Sequence, residues 1–225
     1  FNYTRPKDGE THYYLGVACR RLGKAVEAEG AFARAAWDPA WRAASFRELA
    51  ELASAKGAFE QALEFVDRAV AAAGADPGTR NLKAALLRRL GRLDDAEVCA
   101  KAAELADPLN PRPLQELHFL KVMTREAPAA RAASIQLDRL LSASVPELLE
   151  LALDYKSCGL WQEAAAVLGP RVLEAGPGAS PLPAYLLAFV LDRSGQPGEA
   201  ARLLKQAAAL PPGLVFPHAL EFIDI

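Results

Sequence analysis

Metal-ligating and redox-active side chains are scarce in this sequence. It contains three cysteines and three histidines among 225 residues. The cysteines form no C-x-x-C pair, and the histidines lie a hundred residues or more apart, so neither set has the spacing of a zinc site or a disulfide framework. We therefore expect no metal site, no cofactor and three reduced thiols. The residues concerned are Cys19, Cys99, Cys158, His12, His118 and His218.

The sequence also lacks an excess of positive charge and any apolar run long enough to cross a bilayer. Its 26 lysines and arginines are offset by 28 aspartates and glutamates, so there is no net positive field to neutralise phosphates. The longest apolar run, PAYLLAFVL, is about half of the roughly 20 residues that a membrane span needs. We expect neither nucleic acid nor a membrane as a partner.

Catalytic motifs and a signal peptide are missing as well. No G-x-S-x-G, H-E-x-x-H or G-K-[ST] sequence occurs, so nucleophilic, metal and phosphate chemistry have no visible apparatus. We predict that the chain is not an enzyme. Its first residues, FNYTRPKDGE, contain neither an initiator methionine nor a basic-then-apolar signal. We expect a cytoplasmic protein whose chain is cut from a longer one.

What the sequence has in abundance is repetition. Glycines recur every 34 residues at Gly23, Gly57 and Gly91, and again two periods later at Gly159, with Gly195 following 36 residues beyond it. Alanines keep the same phase, five and twelve residues after each of the first three glycines. They are Ala28, Ala62, Ala96, Ala35, Ala69 and Ala103. A period of this length is typical of stacked helix pairs.

Each unit is predicted to contain a helix A before the glycine and a helix B after it. Glycine adopts a left-handed conformation at little steric cost, and so ends helix A. The predicted helices span 9–21, 25–36, 43–55, 59–72, 77–89, 93–105, 111–123, 127–141, 145–157, 161–174, 181–193 and 197–209. The sequence thus predicts an all-α fold in one continuous domain over residues 1–225. Its repeats fall at about 9–42, 43–76, 77–110, 111–144, 145–180 and 181–212, followed by a tail at 213–225.

The unit YYLGVACRRLGKAVEAEGAFARA resembles the tetratricopeptide repeat (TPR) family. Its signature positions hold Leu15, Gly16, Gly23, Ala28, Phe32 and Ala35. The resemblance implies a right-handed α-solenoid of about six helix-turn-helix repeats with a C-terminal cap. The segments YYLGVACRRLGK, AAWDPAWRAASFRELAEL, RNLKAALLRRLGR and FPHALE also resemble the C-terminal TPR region of large bacterial proteins. Those proteins have an uncharacterised N-terminal domain of sugar-mutarotase-like type.

Family geometry implies that helix A lines a concave groove through two columns of residues placed four apart. One column reads Tyr13, Arg47, Asn81, Gln115, Leu149 and Tyr185, and the other reads Val17, Glu51, Ala85, Phe119, Leu153 and Phe189. The N-terminal half of this groove is polar and of mixed charge, whereas the C-terminal half is apolar, which is typical of an interface. The alternative is that the large apolar residues only fill gaps between repeats.

The fourth repeat keeps the 34-residue spacing but lacks the characteristic residues of the other repeats. Arg125 replaces the turn glycine, His118 replaces the small residue of helix A, and Lys121 occupies another core-facing position. Together with Gln115 and Phe119, His118 is either a binding determinant or the product of structural drift, which a solenoid tolerates.

The fifth helix B contains a second break, at Gly169-Pro170. Proline lacks the N–H and clashes with the carbonyl of Ala166, so the sequence predicts a kink or an early end of this helix.

Two functions remain open at this stage. The first is a non-catalytic scaffold for protein–protein interaction, which presents the groove to a protein or peptide. The second is an accessory domain packed on a carbohydrate-active or sugar-binding domain of the same polypeptide, with the apolar half of the groove covered by that adjacent domain.

Overall fold

Helices make up almost all of the described chain. The computed structural model describes residues 8–73, 76–141, 144–173 and 179–210. Over these residues it contains twelve α-helices and no strand. In chain order they are α1 (Gly9–Arg21), α2 (Ala25–Ala35), α3 (Arg42–Ala55), α4 (Phe59–Ala73), α5 (Pro77–Arg89), α6 (Leu93–Ala106), α7 (Pro111–Met123), α8 (Ala127–Leu141), α9 (Val145–Ser157), α10 (Trp161–Leu173), α11 (Leu182–Arg193) and α12 (Pro197–Ala208). The predicted all-α fold is confirmed, and each predicted helix agrees with the observed bounds to within one residue.

The chain divides into two compact units, Phe1–Leu137 and Asp138–Ile225. Within the first unit α1 packs on α2, α3 on α4 and α5 on α6, and within the second α9 packs on α10 and α11 on α12. Four of the A helices also pack on the preceding helix B, namely α3 on α2, α5 on α4, α7 on α6 and α11 on α10. Both units are therefore stacks of helix pairs. The predicted cap at 213–225 lies outside the described residues.

The turn between paired helices has one geometry throughout the described repeats. Five of these turns have a glycine with φ between 69° and 81°, and the sixth has Arg125 with φ of 61°. In the first turn the N–H of Gly23 donates to the Arg20 carbonyl at 3.0 Å, and the N–H of Lys24 donates to the Cys19 carbonyl at 2.9 Å. The same two bonds recur in the other five turns. They satisfy carbonyls of the last turn of helix A, so the glycine period in the sequence is the period of these turns.

Small residues are buried where the paired helices cross. Ala28, Ala62 and Ala96 have no exposed surface. Gly16 lies so close to Phe32 that a Cβ built on it would be 2.6 Å from the ring. The in-phase small residues therefore mark the closest approaches between helices, as the sequence predicts.

Pro170 lies inside α10, which continues to Leu173. Of the two predicted alternatives, the early end is therefore wrong, and the kink stays a prediction. Proline removes one donor to the carbonyl four residues earlier, and near the end of a helix few further bonds depend on it. The carbonyl of Val167, one residue further on, accepts a hydrogen bond from Arg171 Nη1 at 2.9 Å.

The left-handed turn can be tested by exchanging residue types. Arg125→Gly is expected to raise the free energy of unfolding by about 1 kcal/mol, because glycine adopts this conformation without the Cβ penalty. Gly91→Ala is expected to lower it by about the same amount. Nothing lies within 4 Å of a Cβ placed on Gly91, so backbone strain alone would cause the loss. Urea denaturation measures both values.

Gly30 offers the matched control. It lies inside α2, and a Cβ placed there is equally free of neighbours. Because alanine favours a helix interior, Gly30→Ala should stabilise the protein by up to about 1 kcal/mol. A stabilising Gly91→Ala would contradict the role given to the turn.

Candidate functional site

The first predicted groove residue, Tyr13, lies in an aromatic cluster of the first unit. Its ring centroid is 4.9 Å from that of Trp41 and 5.6 Å from that of Phe32. Its hydroxyl donates to Glu48 Oε1 at 3.3 Å. Burial, followed by the charge of Glu48, raises the pKa of Tyr13 to about 12. The half-buried phenol is therefore held in its protonated form.

An ion network joins the first repeat to the second. Arg20 Nη1 of α1 lies 2.5 Å from Glu48 Oε2 and 2.9 Å from Glu51 Oε2, both on α3. Glu51 also pairs with Arg47 at 3.2 Å, and Arg47 lies 3.7 Å from Asp76. Burial alone would lower the pKa of Arg20, but the two carboxylates outweigh it and raise that pKa. Burial and the nearby Glu51 charge raise the pKa of Glu48 against the effect of Arg20.

A second ion pair joins the third repeat to the fourth and is fully enclosed. Arg88 Nε of α5 lies 2.7 Å from Glu116 Oε2 of α7, with the two side chains 6% and 0% exposed. The guanidinium carbon of Arg88 is also 4.9 Å from the centroid of the Phe119 ring. Phe119, predicted to line the groove, thus packs on a buried cation of the preceding repeat.

The two arginine contacts occupy equivalent places in the repeat. Three residues of the first contact have equivalents in the second contact, two periods of 34 residues later. These residues are the arginine, the glutamate that pairs with it and the other side chain that the arginine contacts. The equivalent pairs are Arg20 and Arg88, Glu48 and Glu116, and Glu51 and Phe119. The carboxylate of Glu51 at the first contact is therefore replaced by the aromatic ring of Phe119 at the second.

The remaining predicted groove residues of the first unit are more deeply placed. Asn81 and Gln115 are 5% and 3% exposed. In the described part of the chain, Asn81 Oδ1 has no hydrogen-bond partner. His118 is half-buried, and its Nδ1 lies 3.0 Å from the carbonyl of Ala130, which accepts the ring N–H. His118 therefore bonds to the backbone of α8.

The predicted apolar residues of the second unit differ in depth. Leu149 and Leu153 are 2% and 8% exposed, so they contribute packing and little accessible surface. Tyr185 and Phe189 are half-buried. They lie four residues apart on α11 and so share one face of that helix. The accessible part of the predicted apolar half is therefore formed by these two rings.

Phe189 is the centre of an aromatic and cationic cluster. Lys156 Nζ of α9 lies 5.0 Å from its ring centroid and the guanidinium carbon of Arg193 lies 5.2 Å from it. The ring of Trp161 meets it edge-on at 6.3 Å. Lys156 is two periods after Arg88, so this contact repeats the cation-on-ring contact of the first unit.

The sequence analysis did not predict the ion pairs of Arg20 and Arg88, although their residues recur at a regular spacing in the sequence. A cation recurs every 68 residues at the same distance before the turn, as Arg20, Arg88 and Lys156. A glutamate follows each of the two arginines by 28 residues. Searching for charges that repeat at twice the glycine period would have found both ion pairs.

The described residues contain neither a cluster of metal ligands nor a membrane-spanning helix. Within those ranges, no three His, Cys, Asp or Glu side chains are close enough together to hold a metal ion. No helix placed by the structure combines the length and the apolar character required to cross a membrane.

Comparison with known proteins identifies the fold. No protein-family model and no curated protein matches the sequence. A tetratricopeptide repeat protein from Parabacteroides merdae matches with a TM-score of 0.56 and 16% identity over 90% of this chain and 80% of its own. Pseudomonas aeruginosa PilF matches with a TM-score of 0.55 and 17% identity over 98% and 97% of the two chains. A chain of the APC/C hetero-tetramer Cut9–Hcn1 gives 0.57 and 16% over 98% of this chain and 42% of that one. The predicted fold class, an all-α solenoid of about six repeats like that of TPR proteins, is confirmed.

The two arginine contacts differ in burial and therefore in predicted sensitivity. Arg88→Met removes the cation that lies 2.7 Å from the fully enclosed carboxylate of Glu116, and is expected to lower the free energy of unfolding by about 3–5 kcal/mol. Arg20→Met should cost less, because Glu48 is 19% exposed and Glu51 keeps Arg47. Urea denaturation of both variants tests the order, and a larger loss for Arg20→Met would contradict it.

The raised pKa of Tyr13 predicts a pH dependence. In the unfolded chain the phenol ionises near its ordinary pKa of 10.0, but in the folded chain only near 12. Its contribution to stability is thus complete below pH 10.0 and is lost as the pH rises through about 12. The stability difference between the wild type and Tyr13→Phe should shrink over that window. A difference that stays constant would show that Tyr13 ionises normally.

Proposed function

We propose that this chain is a non-catalytic scaffold that binds a protein or peptide through the A-helix columns, polar in their N-terminal half and apolar in their C-terminal half. The observation that carries the proposal is the cluster around Phe189. It combines half-buried rings with flanking cations on neighbouring A helices, a composition that recurs at the energetic centres of protein interfaces. The predicted bacterial origin, cytoplasmic location and single-domain organisation over residues 1–225 stay predictions, as does the absence of nucleic-acid and membrane partners.

The second unit selects the chemistry of the ligand. Tyr185 and Phe189 offer apolar surface on one face of α11, and Arg193 is an exposed cation beside the second ring. An apolar side chain of the ligand packs on the two rings, and an acidic group placed next to it meets Arg193. The preferred ligand is therefore a segment in which an apolar residue lies close to an acidic one.

The first unit contributes preorganised polar groups. Arg47 and Glu51 are held by their ion pairs, and Tyr13 is held by Glu48. Because Tyr13 and Arg47 are already ordered, a ligand that contacts them does not have to immobilise them first. Tyr13 and Arg47 thus form a polar surface of the first unit, whereas the buried Glu51, Asn81 and Gln115 serve the packing between repeats.

Affinity capture tests the proposal with matched baits. Phe189→Ser removes the central ring, and is expected to reduce capture of the partner by about tenfold or more, the loss typical of an interface hot spot. The baits are exposed to a lysate of the cells from which the sequence comes. Leu105→Ser is the control, because Leu105 is 84% exposed on α6, a B helix. Reduced capture by this variant would indicate only nonspecific hydrophobic adhesion.

The pattern of capture by the three baits distinguishes binding through the A-helix face from nonspecific adhesion. A protein retained by the wild type and by Leu105→Ser, but not by Phe189→Ser, supports the A-helix face as the binding surface. Equal retention by all three baits, with unchanged helical content by circular dichroism, contradicts it.

A second candidate function is an accessory role beside an adjacent domain of the same polypeptide, and the outer face of α1 favours it. Leu15 is 49% exposed, whereas Leu49 and Leu117, one and three periods later, are 5% and 8% exposed because a preceding helix covers them. Tyr14 and Val26 add further exposed apolar surface, at 57% and 76%. A neighbouring domain packed on this face would bury it. The suggestion that this domain acts on or binds carbohydrate comes from the sequence resemblance alone.

Hydrogen exchange distinguishes this second candidate. Amides of α1 should exchange more slowly in the full-length polypeptide isolated from its source than in the 225-residue chain, if an adjacent domain covers that helix. Equal rates in the two preparations would exclude packing of an adjacent domain on α1.

A further inference from the structure

A cavity of about 830 Å³ opens in the first unit between α2, α3 and α4, away from the predicted groove columns. The side chains of Phe46, Leu49 and Ala53 on α3 form its buried floor. Exposed alanines of α2 and α4, among them Ala33 and Ala72, form its sides. The stretch of α3 that lines it runs over twelve residues from Arg42 to Ala53, which is about 16 Å or three helical turns.

Two arginines lie together at one end of this cavity. Arg42 is the first residue of α3, and it donates to the carbonyls of Ala36 and Trp37 at 3.1 and 3.4 Å. Arg68 of α4 lies with its guanidinium carbon 3.9 Å from the centroid of the Phe46 ring, one turn along α3. In the ranges that the structure covers, neither guanidinium is paired with a carboxylate.

The opposite end of the cavity carries no free acidic group. Glu29 lines it there, and its carboxylate is paired with Lys56. The charge that remains for a ligand is therefore that of Arg42 and Arg68, next to the indole of Trp37, which is 59% exposed. The cavity therefore has an apolar floor, a polar side chain in Gln61 of α4, and an excess of positive charge at one end.

The equivalent position one repeat later shows that this chemistry is not a general property of the fold. There, Leu49 and Ala33 are replaced by Lys83 and Asp67, whose side chains form an ion pair at 2.7 Å. That pair fills the space between the helices with polar groups. The first inter-helix cavity is apolar because its residues lack such a pair.

We infer that this cavity binds an amphipathic helix of a partner protein, with the apolar side of that helix on Phe46 and the alanines and a carboxylate of the helix on Arg68 and Arg42. An added helix satisfies its own backbone, whereas an extended peptide would face helices whose backbone groups are already bonded. Small side chains on α2 and α4 allow the helix of the partner to approach closely. Arg42 and Arg68 at one end of the cavity determine which way that helix runs.

A designed peptide tests this inference on the full 225-residue chain. The probe is a labelled, alanine-based helix of about four turns with leucines along one face and two glutamates in its first turn. A second probe has lysines in place of the glutamates. Fluorescence anisotropy is expected to show the glutamate probe binding about tenfold or more tightly than the lysine probe. Arg68→Glu should reverse that preference, which excludes a difference in helix stability between the probes as its cause.

Filling the cavity provides a second measurement. Ala72→Gln places a larger side chain in it and should weaken the glutamate probe by about tenfold or more. Ala106→Gln is the matched control, because Ala106 is the exposed equivalent of Ala72 one repeat later and should leave binding unchanged. Absence of binding to the wild type, equal binding by Ala72→Gln, or an Arg68→Glu variant that keeps the original preference would overturn the inference. Thermal melts establish that each variant is folded.

Discussion

The enclosed ion pair between Arg88 and Glu116 is the contact on which the stacking of the fourth helix pair on the third depends. The turn between paired helices fixes the geometry within a repeat, but it does not determine how far the next repeat slides along its neighbour. A carboxylate without exposed surface must find its cation, since an unpaired buried charge costs several kcal/mol. Displacement by one helical turn would separate the two charges, so the pair selects a single register. Arg20 performs the same function at the first junction, with more solvent around it.

The same register position also explains how the A-helix face changes character along the chain. The cation is kept as Arg20, Arg88 and Lys156, and the contacts around it include two carboxylates at Arg20, a carboxylate and a ring at Arg88, and the Phe189 ring at Lys156. As rings enter this position, aromatic surface becomes available to a ligand. The proposed binding chemistry of the second unit is therefore a consequence of how the repeats are held together.

The sequence predicted the helices well because their ends are set by local chemistry. Gly91 marks a left-handed turn, and even Arg125 takes that conformation because the two turn hydrogen bonds require it. The depth of a side chain was not predictable in the same way. Leu149 and Asn81 occupy predicted groove positions but are buried, because periodicity gives the face of a helix and not how closely the next helix covers it. The cavity beside Leu49 depends on three helices at once, and no single period describes it.

A double-mutant cycle between Arg88 and Glu116 tests the central claim most directly. Leucine is a suitable replacement for Glu116, because Leu82 holds the same position one repeat earlier and is buried there. The account predicts that Arg88→Met is strongly destabilising alone, and that adding Glu116→Leu restores stability to within about 1 kcal/mol of the wild type. The coupling free energy between the two sites would then be about 2 kcal/mol or more. Additive effects of the two substitutions would contradict it, because they would show that the two charges do not hold the repeats in register.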